Sequence, residues 1–155
     1  MGKNMNFEKL NVENVENYLE YLKIAMTQEP DMMTAEEVDE NGIRERIADE
    51  FYQRTTSILA FDGSKVVGRI EFHFYGCMQD GYRMAYVDWI YVLKDFRHRG
   101  IAQALFQEFE KECEKHQIHQ YYLITAENAE ASRFYRAFPG VDIKPTPILR
   151  KYFEQ

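Results

Sequence analysis

The chain has 155 residues, which suits one domain with a sizeable hydrophobic core. Its 26 acidic and 19 basic residues give a net charge of −7, which argues against nucleic-acid binding because that needs a basic surface. Cys77 and Cys113 form no CxxC pair and have no histidine at ligand spacing, so neither a disulfide nor a metal site is expected. Without an apolar leader or a run of the ~18–20 apolar residues that spans a bilayer, the sequence predicts a cytoplasmic protein without membrane contact.

The first third of the chain predicts a strand followed by two helices. Residues 5–10 read as a short strand, and apolar residues recur at helical spacing over residues 12–27. Thr34 and Glu37 resemble a capping box, which predicts a second helix over about residues 35–53 with a break near Asn41-Gly42. This second segment is strongly acidic. It is either a solvated helix face or an electronegative wall that attracts an amine.

The middle of the chain predicts an antiparallel meander of three strands. These strands cover residues 56–61, 66–76 and 82–93, and each pair is separated by a turn that contains Asp-Gly. In the second strand Glu71 and His73 share one face. Strict alternation in the third strand puts Asp88 on the face of Ile90 and Val92, unless a bulge intervenes.

The last part of the chain predicts a helix, a parallel strand, a short helix and a terminal strand. Apolar residues follow Gly100 at steps of four, which gives one stripe over about four helical turns. Residues 120–126 read as a strand, residues 129–138 as a helix, and the segment after Pro145 and Pro147 as an edge strand. The predicted fold is therefore α/β, with a mixed, mostly antiparallel sheet flanked by helices in the order β-α-α-β-β-β-α-β-α-β(β).

The turn between the third strand of the meander and the long helix has the features of a phosphate site. It reads Arg97-His98-Arg99-Gly100-Ile101-Ala102. Small residues at Gly100 and Ala102 allow the backbone to approach a pyrophosphate closely. Amide N–H groups and the helix dipole both favour negative charge at a helix N-terminus. The basic side chains add positive charge.

Three motifs together resemble the GNAT acetyltransferase superfamily. Residues 97–102 resemble the family's (Gln/Arg)-x-x-Gly-x-(Gly/Ala) segment, and the strand end Ile90-Tyr91-Val92 resembles the strand that precedes it, with Lys94 where proline is common. Residues 128–135 resemble the family's Asn-x-x-Ala-x-x-Phe-Tyr segment. The resemblance implies one acetyltransferase domain over residues 1–155. The family's glycine and aromatic after Phe-Tyr are displaced here, which leaves the course of the last strands open.

The resemblance implies acetyl-CoA as cosubstrate, with no metal. Its pyrophosphate would bind the turn, and its pantetheine arm would pair with the backbone of residues 90–92. Asn128 would contact the same arm, although asparagine also serves as a helix N-cap. The implied cofactor-binding residues are Ile90, Tyr91, Val92, Arg97, His98, Arg99, Gly100, Ile101, Ala102, Asn128, Ala131, Arg133 and Phe134.

The implied reaction is direct acetyl transfer to a primary amine in a ternary complex, which needs a base and an acid. Tyr135 matches the tyrosine that the family often uses as acid, and a core tyrosine is the alternative. Asp88 stands where some members place a catalytic carboxylate, and a structural hydrogen bond or ion pair is the alternative. Glu71 and His73 are further candidates for the base, either directly or through water.

The acceptor is not specified by these motifs. A small-molecule amine or a protein amino group fits, and the acidic segment favours a cationic acceptor. The alternative function is a non-catalytic, CoA-binding GNAT-like sensor or interaction module. The resemblance also admits a homodimer, although no stretch specifies an interface.

Overall fold

The computed structural model describes residues 5–32 and 35–154. The chain divides into two compact units, Met1–Leu123 and Ile124–Gln155. The first unit contains the sheet and three α-helices, and the second contains one α-helix. None of the helices in the described parts of the chain is long and apolar enough to cross a bilayer.

The first unit is built on a five-stranded sheet with the strands in sequence order. The strands are β1 (Met5–Lys9), β2 (Thr55–Asp62), β3 (Lys65–Gly76), β4 (Arg83–Val92) and β5 (Gln120–Leu123). The first four are antiparallel, and β5 runs parallel to β4. The predicted meander and the parallel crossover strand are therefore confirmed.

The described residues contain four α-helices. They are α1 (Val15–Gln28), α2 (Glu40–Arg46), α3 (Ile101–Lys115) and α4 (Ala129–Arg136), with short 3-10 segments at Pro30–Met32, Glu50–Arg54 and Lys94–Phe96. The α/β fold class and the element order as far as α4 are confirmed.

The prediction of one long second helix over residues 35–53 is wrong. The helix begins after Asp39, whose carboxylate accepts a hydrogen bond from the Gly42 amide at 3.2 Å, so this segment starts a helix where a break was expected. Asp49 is extended and caps the 3-10 segment that follows through the Phe51 amide at 2.9 Å. Two short capped elements therefore replace the predicted helix. Thr34, the other half of the predicted capping box, lies outside the described residues.

The helices α1 and α3 pack on opposite faces of the sheet. Phe72 on β3 contacts Phe109 of α3, with ring centroids 4.7 Å apart. On the other face, Tyr18 and Tyr21 of α1 form a buried cluster with Leu59 and Tyr91. Successive residues of a strand point to opposite faces, so β3 contributes side chains to the packing on both faces of the sheet. Cys113 is buried in the α3 core, as the apolar stripe predicts, and both cysteines are free thiols.

A β-bulge at Asp88 changes which face of the sheet the later side chains of β4 point to. Glu71 pairs with Trp89 and Phe72 pairs with Val87, so Asp88 is the extra residue. The bulge reverses the alternation, and Ile90 therefore lies opposite Ile70 on the α3 face. The prediction that Asp88 shares a face with Ile90 and Val92 holds only for an unbulged strand and is wrong here.

The predicted terminal strand is absent from the described residues of the second unit. Residues 137–154 contain no strand, and β5 ends at Leu123 rather than near residue 126. Pro145 and Pro147 lack the N–H that a ladder needs. Leu149 and Tyr152 are 92% and 86% exposed, so this segment buries little apolar surface.

The close approach of α3 to β3 at Gly68 gives a stability prediction. A Cβ at Gly68 would lie 3.2 Å from Leu105 Cδ1 and 3.3 Å from Ile101 Cγ2. Gly68→Val overpacks this contact, and we expect a loss of about 1–3 kcal/mol in the free energy of unfolding, measured by urea denaturation. Gly76→Val is the control, because a Cβ there would meet no atom closer than the Tyr82 carbonyl at 3.9 Å. Equal stability of the two variants would contradict the packing described for Gly68.

Candidate functional site

The second half of β4 has one unpaired edge among the described residues. The β4–β5 ladder covers only Met84–Val87, so β4 runs on from the Asp88 bulge without a partner on that side. Residues 90–92, which were predicted to hold the pantetheine arm, lie on this stretch. Two of their carbonyls already accept hydrogen bonds: Tyr91 O from the Tyr21 hydroxyl at 2.9 Å, and Val92 O from Arg97 Nε at 3.1 Å. The remaining backbone groups determine what the edge can bind.

The turn after β4 presents the N-terminus of α3. Two of its residues have positive φ: His98 at 62° and Gly100 at 78°. Gly100 is the helix N-cap, and Ile101 is the first helical residue. The amides of the first turn have no partner within the helix and point out of its N-terminus. His98, Arg99 and Gly100 are exposed, so an anion can reach this turn.

Arg97 is directed inward rather than towards solvent. Its Nε donates to the Val92 carbonyl, one terminal nitrogen donates to the Glu29 carboxylate, and its guanidinium lies 5.2 Å from the Tyr91 ring centroid. Its contact with phosphate therefore stays a prediction. Arg99 lies over the Phe96 ring at 5.0 Å, at the exposed side of the turn.

The three residues proposed as bases form one cluster at the bulge. His73 Nε2 lies 2.8 Å from Asp88 Oδ2. One carboxylate oxygen each of Glu71 and Asp88 and one ring nitrogen of His73 all lie within 4.8 Å of one another. His73 Nδ1 lies 3.1 Å from the Thr55 hydroxyl. An ionised Asp88 only accepts, so in this arrangement His73 donates Nε2–H to it and accepts at Nδ1 from Thr55. Asp88 keeps the face of Tyr86, which pairs with His73, and the bulge changes the facing only of the residues that follow, from Trp89 onwards.

Charge around the cluster is balanced by a buried arginine. Arg69 is only 7% exposed, donates to Glu71 Oε1 at 3.1 Å, and lies 5.1 Å from the Tyr18 ring centroid. Ser57 donates to the same Glu71 oxygen at 3.2 Å. Burial raises the pKa of Glu71, Arg69 lowers it, and the neighbouring Asp88 raises it again, with a net upward shift. Glu71 therefore holds a proton more readily than a carboxyl group in water.

The donor set of the cluster would also suit a divalent cation, since it combines one imidazole with two carboxylates. The expectation that no metal takes part stays a prediction. A chelator test belongs in any assay of this site.

The acidic segment between α1 and β2 is mostly a solvated surface. Glu40 pairs with Lys23 at 2.9 Å, and Asp39 pairs with Arg46 at 3.1 Å, both at exposed positions. Surface ion pairs of this kind contribute little to the stability of the fold. Glu29 differs, because its carboxylate binds Arg97 and Tyr91.

The second unit carries the other residues implied by the resemblance. Asn128 Oδ1 accepts from the Ala131 amide at 2.8 Å, so Asn128 is the N-cap of α4. Phe134, Tyr135 and Phe138 form a ring cluster, and Arg133 is exposed. Burial raises the pKa of Tyr135, which keeps the phenol protonated and able to donate. Its role as acid stays a prediction.

Several solved structures with the same fold are described as acetyltransferases. An aminoglycoside acetyltransferase from an uncultured soil metagenomic sample, in complex with trehalose, matches with a TM-score of 0.81 at 12% identity, covering 97% of each chain. A ribosomal-protein-alanine N-acetyltransferase from Brucella melitensis biovar Abortus 2308 matches at 0.74 and 17% identity, covering 95% of this chain and 99% of that one. A possible acetyltransferase from Clostridium difficile 630 matches with a TM-score of 0.74 at 17% identity, covering 98% of this chain and 100% of that one.

The sequence itself is matched by the family model described as Acetyltransferase (GNAT) family, over residues 18–138. The chain therefore belongs to the GNAT family, and it is an acetyltransferase. No curated protein matches it.

Proposed function

We propose that this enzyme transfers the acetyl group of acetyl-CoA directly to a primary amine in a ternary complex. The observation that carries the proposal is the arrangement along β4: the carboxylate–imidazole cluster at the Asp88 bulge stands directly before the unpaired edge of residues 90–92 and the turn at Gly100. The proposed base, the extended backbone edge and the proposed anion-binding turn follow one another on one stretch of chain.

The residues of the turn fit the pyrophosphate of acetyl-CoA. The first amides of α3 are oriented outwards, and Gly100 has no side chain to block a close approach. The unpaired edge of residues 90–92 fits the amides of a pantetheine arm. Asn128, Ala131, Arg133 and Phe134 join the proposed cofactor site on the family resemblance alone.

Acetyl-CoA supplies a thioester as acyl donor, and the protein supplies proton transfer and position. A primary amine is protonated near neutral pH and must lose a proton before it attacks. Asp88 is the proposed acceptor of this proton, and His73 orients its carboxylate by donating Nε2–H to Oδ2. Tyr135 is the proposed donor to the departing thiolate.

The acceptor is proposed to be a small-molecule amine or a protein amino group. One structural neighbour was solved with sisomicin, and another is a ribosomal-protein-alanine N-acetyltransferase. These structures support an amine acceptor as a class.

A panel of amines tests the proposal. Acetyl-CoA with purified enzyme and polyamines, aminoglycosides or lysine peptides should release CoA and yield acetylated amine detected by mass spectrometry. Chelator-treated enzyme should turn over at the same rate, because no step needs a metal. Binding of acetyl-CoA with no acetylated product across the panel would contradict the proposed reaction and favour a CoA-binding module.

A further inference from the structure

Glu29, at the C-terminal end of α1, is bound to the residues that lead into the phosphate turn. Its Oε1 accepts from the Tyr91 hydroxyl at 2.7 Å and from an Arg97 terminal nitrogen. Desolvation opposes ionisation of Glu29, but the hydrogen bonds from Tyr91 and Arg97 lower its pKa overall. Burial and the bond to Glu29 raise the pKa of Tyr91 to about 12, so its phenol remains a donor. The contact is therefore a charged pair with a second, neutral donor.

Neighbouring contacts fix the same helix end. Gln28 Oε1 accepts from the Lys94 amide at 3.3 Å, and Gln28 Nε2 lies 3.5 Å from Asp95 Oδ2. The end of α1 thus contacts the 3-10 segment before the turn at residues 94 and 95, and the turn itself at residue 97. Arg97 in turn holds the end of β4 through the Val92 carbonyl.

The turn needs such support because its backbone is strained. His98 has a positive φ of 62° without being glycine, and this conformation persists only when the surroundings hold it. Arg97 immediately precedes His98, and its guanidinium is held by hydrogen bonds to Glu29 and to the Val92 carbonyl. The amides that face a phosphate follow within four residues.

We infer that Glu29 is a positioning residue for the acetyl-CoA site: it fixes Arg97 and thereby the turn whose amides bind the pyrophosphate. This inference rests on the proposed function. It assigns Glu29 no contact with the cofactor, and it separates Glu29 from the acidic residues of the solvated surface.

Direct binding of acetyl-CoA, measured by calorimetry, tests the inference. Glu29→Ala should raise the Kd by about tenfold, because a charged hydrogen bond that orders the turn is lost. Glu29→Gln should recover most of this affinity, since its amide oxygen still accepts from Tyr91 and Arg97. Arg97→Gln should weaken binding similarly, and adding Glu29→Ala to it should cost little more. The KM of the amine at saturating acetyl-CoA should not change.

Glu20→Ala is the matched control, since Glu20 lies on the same helix, is 69% exposed and pairs with the exposed Lys23 rather than with the turn. It should bind acetyl-CoA as the wild type does. Unchanged or tighter binding by a folded Glu29→Ala variant would overturn the positioning role and leave the proposed function standing. A wild type that does not bind acetyl-CoA would overturn both.

Discussion

Asp88→Asn is expected to lower kcat for amine acetylation by about 10²-fold or more, with the Kd of acetyl-CoA unchanged. Asparagine has the shape of aspartate and can still accept from His73 Nε2, so the bulge and its contacts should persist. It cannot take a proton from the incoming ammonium. The loss should therefore appear in turnover and not in cofactor binding, as measured by initial rates of thiol release and by calorimetry.

The control for this variant is Asp80→Asn in the β3–β4 hairpin. Asp80 accepts from the Tyr82 amide at 2.9 Å and takes no part in the cluster at the bulge. Its replacement should leave kcat within a factor of about two. If Asp88→Asn retained wild-type turnover, the base would have to be sought at Glu71 or His73, which Glu71→Gln and His73→Gln would then distinguish.

Gly100→Glu is expected to abolish acetyl-CoA binding, with a rise in Kd of about 10²-fold or more. Gly100 has φ of 78°, where a side chain costs about 1–2 kcal/mol. A carboxylate at this position would also repel the pyrophosphate from the first turn of α3. The loss of two charged hydrogen bonds at about 1.5–3 kcal/mol each accounts for the predicted factor.

Gly100→Glu introduces both backbone strain and repulsion of the phosphate, and the same substitution at a second glycine with positive φ separates these two effects. Gly63 in the β2–β3 turn has φ of 63°, and a Cβ there would meet no described atom within 4 Å, so Gly63→Glu imposes similar strain away from the site. It should lower thermal stability without changing the Kd of acetyl-CoA. Wild-type affinity in Gly100→Glu would remove this turn from the cofactor site.

Local patterns predicted the parts of the fold that depend on neighbours in sequence. Alternation along β3 and the four-residue steps of α3 specify which residues share a face, and the structure confirms these elements. The Asp-Gly turns correctly separate the meander strands. The strand, turn and helix around Gly100 were also predictable, because glycine adopts the positive φ that a tight turn before a helix requires.

Features that depend on distant contacts were not predictable. The bulge at Asp88 depends on pairing with β3, and only that pairing brings Asp88 to Glu71 and His73. Glu29 reads as one more acidic residue in an acidic segment, yet it contacts Arg97, 68 residues along the chain. The last segment has β-forming residues, but it finds no ladder partner among the described residues. Tertiary contacts decide each of these cases.

Equilibrium binding of acetyl-CoA to the wild-type protein is the decisive experiment, because β4, the turn and the N-terminus of α3 are all proposed to bind that one molecule. Isothermal titration should show one saturable site per chain with a Kd in the micromolar range, and CoA should compete for it. A folded protein that shows no saturable heat of binding with acetyl-CoA would contradict the proposed cofactor site.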